Sequence, residues 1–174
     1  MSGIVNISPD MKSGTVGKSP IGQSCKMHLT SAISGATSGY ITDWSTDYNQ
    51  SPEIFTPIVA GSPQGMQCNV SGMYMFVRSF YHTSNTQTGY IQNYLSKQVS
   101  SAINKSYKIY TMHHTGGIWA KGVWNYTLAI GAGDIIGQYY NVQAGNIDIN
   151  SGNNGTWNLG TFLGPIASAV TDTA

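Results

Sequence analysis

The sequence predicts an all-β sandwich, and three observations carry that expectation. Short runs rich in aromatic and β-branched residues recur from residue 25 onward, a composition that suits a pleated, half-buried surface. Clusters of Gly, Ser, Asn and Pro punctuate these runs as turns. No stretch shows the 3.6-residue apolar period of an amphipathic helix. The chain has 174 residues, enough for one domain with a substantial core.

Residues 1–24 read as an extended arm. Ile4, Val5, Ile7, Met11, Val16 and Ile21 stand among Ser, Gly, Lys and Pro without a regular period, and Pro9 and Pro20 disfavour helix just before them. Apolar side chains spread along such an arm call for a partner surface. Residues 25–174 form the sandwich domain. The segment CKMHLTSAI at 25–33 is a first strand, followed by a loop over 34–39. Pro52, Pro57, Pro63, Gly61 and Gly65 break up residues 40–65, which read as loops with one short strand near 54–59. Residues 66–70 lead through Ser71-Gly72 into a strand at 73–81, where Tyr74, Phe76 and Phe80 share one face and Arg78 interrupts it. Further strands are expected over 88–95, 106–113, 118–130, 134–142, 146–149 and 157–163. Residues 96–105 are assigned to a loop, and Gly131-Ala132-Gly133-Asp134 is turn chemistry.

Composition excludes several classes. Charged residues are 9% of the chain and the net charge is +1, so the cationic footprint of a nucleic-acid binder is missing. An aromatic content of 11% argues against a solvated disordered chain. No apolar run approaches the ~20 residues of a membrane span, and residues 1–20 have no apolar core of a secretory signal. Cys25 and Cys68 are too few for a disulfide framework. Two buried free thiols in a reducing compartment are expected, with a single bridge as the alternative.

The search for chemistry assigns no catalytic residue, no metal and no cofactor. His113 and His114 are neighbours, so a strand sends them to opposite faces, and no further ligand lies at metal-binding spacing. His28 and His82 are isolated. There is no G-x-S-x-G elbow and no close pair of carboxylates. The chain is not expected to be an enzyme. Its notable resource is Tyr and Trp, whose apolar area and polar tip suit subunit contacts and sugar stacking.

Three motifs carry a resemblance. Val70-Ser71-Gly72-Met73-Tyr74-Met75-Phe76 resembles the "s-G-x-Y-x-F" strand opening of the C1q/tumour-necrosis-factor-like jelly roll. Leu128-Ala129-Ile130-Gly131-Ala132-Gly133-Asp134-Ile135-Ile136 is similar to its "L-x-x-G-D-x-v" strand–turn–strand, and Gly160-Thr161-Phe162-Leu163-Gly164 resembles its closing strand. Order and separation agree over about residues 25–166. The resemblance implies a jelly-roll β-sandwich that forms a homotrimer around a threefold axis. Residues from 72–81, 123–130 and 134–142 are expected at that interface, namely Tyr74, Phe76, Trp124, Tyr126, Tyr139 and Tyr140. Alternation sends Tyr139 and Tyr140 to opposite faces, one to the core and one outward.

The segment Ser8-Pro9-Asp10-Met11-Lys12-Ser13-Gly14-Thr15-Val16-Gly17 resembles leaders of structural proteins of marine tailed phages. That resemblance implies a capsid-decoration protein of the virion surface, made in the host cytoplasm. Its arm, through Ile4, Val5, Ile7, Met11, Val16 and Ile21, would add a strand to the major capsid protein. The alternative is the receptor-binding tip of a tail fibre or needle, recognising host glycan through exposed Tyr and Trp. Neither role involves nucleic acid or a membrane.

Overall fold

A computed structural model describes residues 20–61, 63–84, 89–99, 102–114 and 119–166. The arm residues Ile4, Val5, Ile7, Met11 and Val16 lie outside them. Among the described residues thirteen strands follow in order: β1 (Ser24–Leu29), β2 (Ile33–Ala36), β3 (Ser38–Tyr40), β4 (Trp44–Asn49), β5 (Phe55–Ile58), β6 (Gly65–Cys68), β7 (Gly72–Ser84), β8 (Gly89–Val99), β9 (Ala102–His114), β10 (Trp119–Ile130), β11 (Ile135–Val142), β12 (Ile147–Ile149) and β13 (Trp157–Pro165). All pairings are antiparallel.

They form two sheets. The first runs β2-β12-β7-β13-β1-β4, with β10 pairing β7 along its other side; the second runs β5-β6-β11-β8-β9, with β3 pairing β11. The sheets enclose one core. Phe55, Tyr74, Phe76, Phe80 and Phe162 supply its rings, and Met27, Leu29, Met66, Ile91, Ile136, Ile147 and Ile149 fill in around them. Period-2 alternation accounts for most of this: β1 alternates between partly exposed and buried side chains along its whole length.

Three expectations are corrected. Residues 40–65 hold a second strand, β4, and residues 96–105 are not a loop, because β8 continues to Val99 and β9 starts at Ala102. In β4 only Trp44 is buried, and among the described residues the strand pairs β1 alone, at the end of the sheet. Its polar sequence therefore has no core to signal. The 34–39 stretch likewise contributes β2 and β3.

The two strongest motifs have local reasons. A Cβ on Gly72 would lie 2.5 Å from both the Gly164 carbonyl oxygen and the Phe162 ring, so only glycine lets β7 start against β13. Gly72→Ala is expected to lower stability by about 1–3 kcal/mol through overpacking, read as a shifted denaturation midpoint with unchanged slope. In the turn before β11, Gly133 has φ of 90°, and the Asp134 carboxylate accepts the Gly131 N–H at 2.9 Å. Both residues are fixed by the turn itself.

Cys25 and Cys68 are free, buried thiols. Burial, then the nearby Asp47 carboxylate, pushes the Cys25 thiol up to about 12, so at pH 8 it is neither ionised nor accessible. A thiol reagent at that pH is expected to leave both cysteines unmodified in the native protein and label both in urea. Because the folded value lies above the unfolded one, the stability Cys25 contributes is complete below about pH 9 and lost as pH rises through about 12.

Candidate assembly interface

An antiparallel sandwich commonly keeps its outer faces polar. The first sheet departs from this. Inward-facing Tyr74, Phe76, Arg78 and Phe80 of β7 are buried, and they alternate with Met73, Met75 and Val77, which are only partly buried on the opposite face. Register carries the same face across the neighbours. Leu159 of β13 lies beside Val77, and Thr161 beside Met75. On β10, Val123 lies opposite Ser79 and Thr127 opposite Met75. Val123 is 56% exposed and Trp119, at the far end of β10, is 50% exposed. Trp119 packs its ring against Tyr81 at 5.0 Å.

The outer face thus carries partly buried apolar side chains on β7 and β13, Met73, Met75, Val77 and Leu159, while on β10 the exposed Val123 is followed by the exposed polar Asn125 and Thr127, opposite Val77 and Met75. One end is roofed by the loop before β13: Ser79 Oγ donates to the Gly155 carbonyl at 2.7 Å, and Lys121 Nζ donates to the Asn154 carbonyl at 2.7 Å. On the other side the face turns polar at β1 and β4. Lys26 Nζ sits 3.0 Å from Asp47 Oδ2 and 5.5 Å from the centre of the Trp157 ring. His28 Nδ1 contacts the other Asp47 oxygen. An apolar centre with a charged rim is the anatomy of a protein–protein contact.

The six aromatic residues expected at a subunit interface are split among three places. Tyr74 and Phe76 have 0% and 1% exposure, and Tyr140 has 5%; they are core residues of one chain and retain almost no surface for a neighbour. Tyr74 donates its hydroxyl to the Val70 carbonyl at 2.6 Å, and burial keeps that phenol protonated by raising its pKa. Trp124 and Tyr126 also face inward and pack against the core, partly exposed on β10, which among the described residues pairs β7 alone. Tyr139 points outward from the second sheet, between Tyr40 at 4.8 Å and Tyr94 at 5.5 Å.

The expected strands 72–81 and 123–130 therefore do form the candidate face, through their other side chains. Met and Val at alternate positions resemble core, and nothing in sequence alone tells which of two apolar faces is inside. Ile21, the described member of the arm set, is 54% exposed. It follows Pro20 at the root of the arm, where the Gly22 N–H donates to the Phe162 carbonyl at 2.7 Å. A shallow cleft of about 400 Å³ beside that root is lined by Pro20, Gln23, Gln50, Ser51, Pro52 and Glu53. The lone titratable side chain in that lining gives it no acid–base pair. Among the described residues no three His, Cys, Asp or Glu side chains gather as a metal site, and no helix is long and apolar enough to cross a membrane.

No family model matches the sequence, and no curated protein matches it. Solved structures do match in shape. Murine APRIL superposes with a TM-score of 0.60 at 9% identity, covering 82% of this chain and 99% of APRIL. The globular domain of the zebrafish complement 1qA protein gives 0.57 at 10%, covering 83% and 99%, and Eiger TNF from S. frugiperda gives 0.56 at 11%, covering 84% and 96%. The fold is the C1q/TNF-like jelly roll. At these identities the likeness is one of fold, and the jelly roll here spans nearly the whole of each neighbour.

Proposed function

We propose that this jelly roll is a non-enzymatic assembly protein that works as a homotrimer. The observation that supports the reading is the outer face of the first sheet, where the partly buried Met73, Met75, Val77 and Leu159 lie beside the exposed Val123 and Trp119, 56% and 50% accessible. Monomeric proteins rarely leave such a face in water. Burial between copies removes it from solvent without rearranging the core.

The finer reading is a decoration protein of a tailed-phage capsid, with residues 1–24 as the element that grips the major capsid protein. The phage-like leader supports it, as does the low charge of 9%, which limits adhesion to DNA and to charged envelopes. Many trimers bridging adjacent shell subunits resist internal pressure mechanically. Full-length protein is expected to bind heads lacking it, and protein lacking residues 1–24 to remain a folded trimer that no longer binds. Equal binding by both forms contradicts the arm's role.

A second reading, a receptor-binding tip for host glycan, is favoured by the Tyr40–Tyr139–Tyr94 ladder. Three partly exposed rings on the outer face of the second sheet offer a stacking surface for a sugar. A glycan array separates the two: a hit abolished by Tyr139→Ala supports the tip, and a blank array with head binding supports decoration.

A further inference from the structure

The lone arginine lies inside the sandwich. Arg78 is 1% exposed at the middle of β7, and its Nη1 donates to the Gly137 carbonyl of the facing sheet at 2.7 Å. Its Nε and Nη2 meet no hydrogen-bond acceptor among the described residues. These two N–H groups form one edge of the guanidinium fork, pointing in parallel as they do when an arginine grips an anion side-on. Asn158 stands directly opposite Arg78 in the β7–β13 register. It is 2% exposed, and neither end of its amide has a partner among the described residues.

A buried cation without a counter-charge is strongly disfavoured, and the described carboxylates are engaged or far out in solvent. Asp47 takes Lys26 and His28, Asp134 takes the Gly131 N–H and Asp148 the Gly35 N–H. Asp43 and Glu53 are exposed. Deprotonation does not relieve the charge at neutral pH, because burial lowers the guanidinium only to about 9. Water satisfies donors but leaves the charge in place.

We infer that Arg78 and Asn158 form an internal site for a small monovalent anion of the chloride class. The parallel Nε–H and Nη2–H of Arg78 and the Asn158 amide N–H supply the donors. The anion neutralises the guanidinium, and Gly137 holds the fork across the gap between the sheets. The site is independent of the oligomer, since both side chains face the core of one chain.

Two measurements test it. Crystals of the full chain grown in sodium bromide should show an anomalous bromine peak within hydrogen-bond distance of Arg78 Nε and Nη2. No peak there, with a water refined in its place, overturns the site whatever a variant does. In solution at constant ionic strength, replacing gluconate by chloride should raise the melting temperature of the wild type by roughly 5–10 °C as chloride goes to about a hundred times its dissociation constant. Arg78→Met, which keeps the length of the side chain and removes the fork, should lose that dependence. An equal chloride response in both proteins also overturns the proposal. If Arg78→Met fails to fold, the bromide peak alone decides.

Discussion

Phe76→Ala is expected to lower the stability of the domain by about 3–5 kcal/mol, the range for removing a fully buried aromatic ring. The ring has 1% exposure, stacks on Tyr74 with centroids 6.1 Å apart and closes over Gly160, where a Cβ would come within 3.1 Å of it. The surrounding strands are hydrogen-bonded on both sides of β7, so the hole cannot collapse. At this chain length that loss corresponds to a fall in melting temperature of roughly 6–20 °C. Tyr74→Ala belongs in the same range, since Tyr74 touches Phe55 and Phe162 as well as Phe76. Tyr74→Phe isolates the hydroxyl, and its loss should be nearer 1 kcal/mol, the net worth of one hydrogen bond. Calorimetry of the three variants checks the ranking; a drop below about 1 kcal/mol for Phe76→Ala would remove that side chain from the core.

The opposite faces of the same strands respond in the opposite way. Met75→Glu with Val123→Glu is expected to leave each chain folded, because both side chains lie on the outer face: Val123 is 56% exposed and its change costs about 0.5 kcal/mol or less, while the partly buried Met75 adds about 1 kcal/mol. Assembly should suffer instead. In the proposed homotrimer each charge is repeated in every copy, and like charges brought together in an apolar contact cost several kcal/mol. Association is expected to weaken about 100-fold or more, seen by sedimentation velocity as a shift to monomer, with the circular dichroism spectrum unchanged. The pair of variants thus tests the two apolar faces of β7 separately: the even-numbered positions for the fold of one chain, and the odd-numbered ones for association between chains.

That distinction also marks what the sequence could and could not disclose. β5, β7, β10, β11 and β13 were legible because aromatic and β-branched side chains cluster there. The glycine turn before β11 was legible because Gly133 and Asp134 carry their own conformational logic. β4 was not, since an edge strand with one buried side chain has almost no apolar pattern to display. The expected interface residues of β7, Tyr74 and Phe76, are buried in the core of one chain: β7 is apolar on both faces, and alternation fixes which residues share a face without fixing which face is inside. Tyrosine and tryptophan stood out as interface candidates by their polar tips, and methionine and valine at alternate positions carry no such mark. Arg78 read as a break in the apolar face, yet it follows the inward alternation of Tyr74, Phe76 and Phe80 and is buried with them. A single sequence carries no signal that a cation will be tolerated there.

Sedimentation equilibrium of the full chain at tens of micromolar bears most directly on whether the outer face of the first sheet is covered by other copies. A homotrimer gives a single species at three times the 18.6 kDa chain mass, dissociating when Met75 and Val123 are both replaced by glutamate. A lone 18.6 kDa species throughout that concentration range would contradict it.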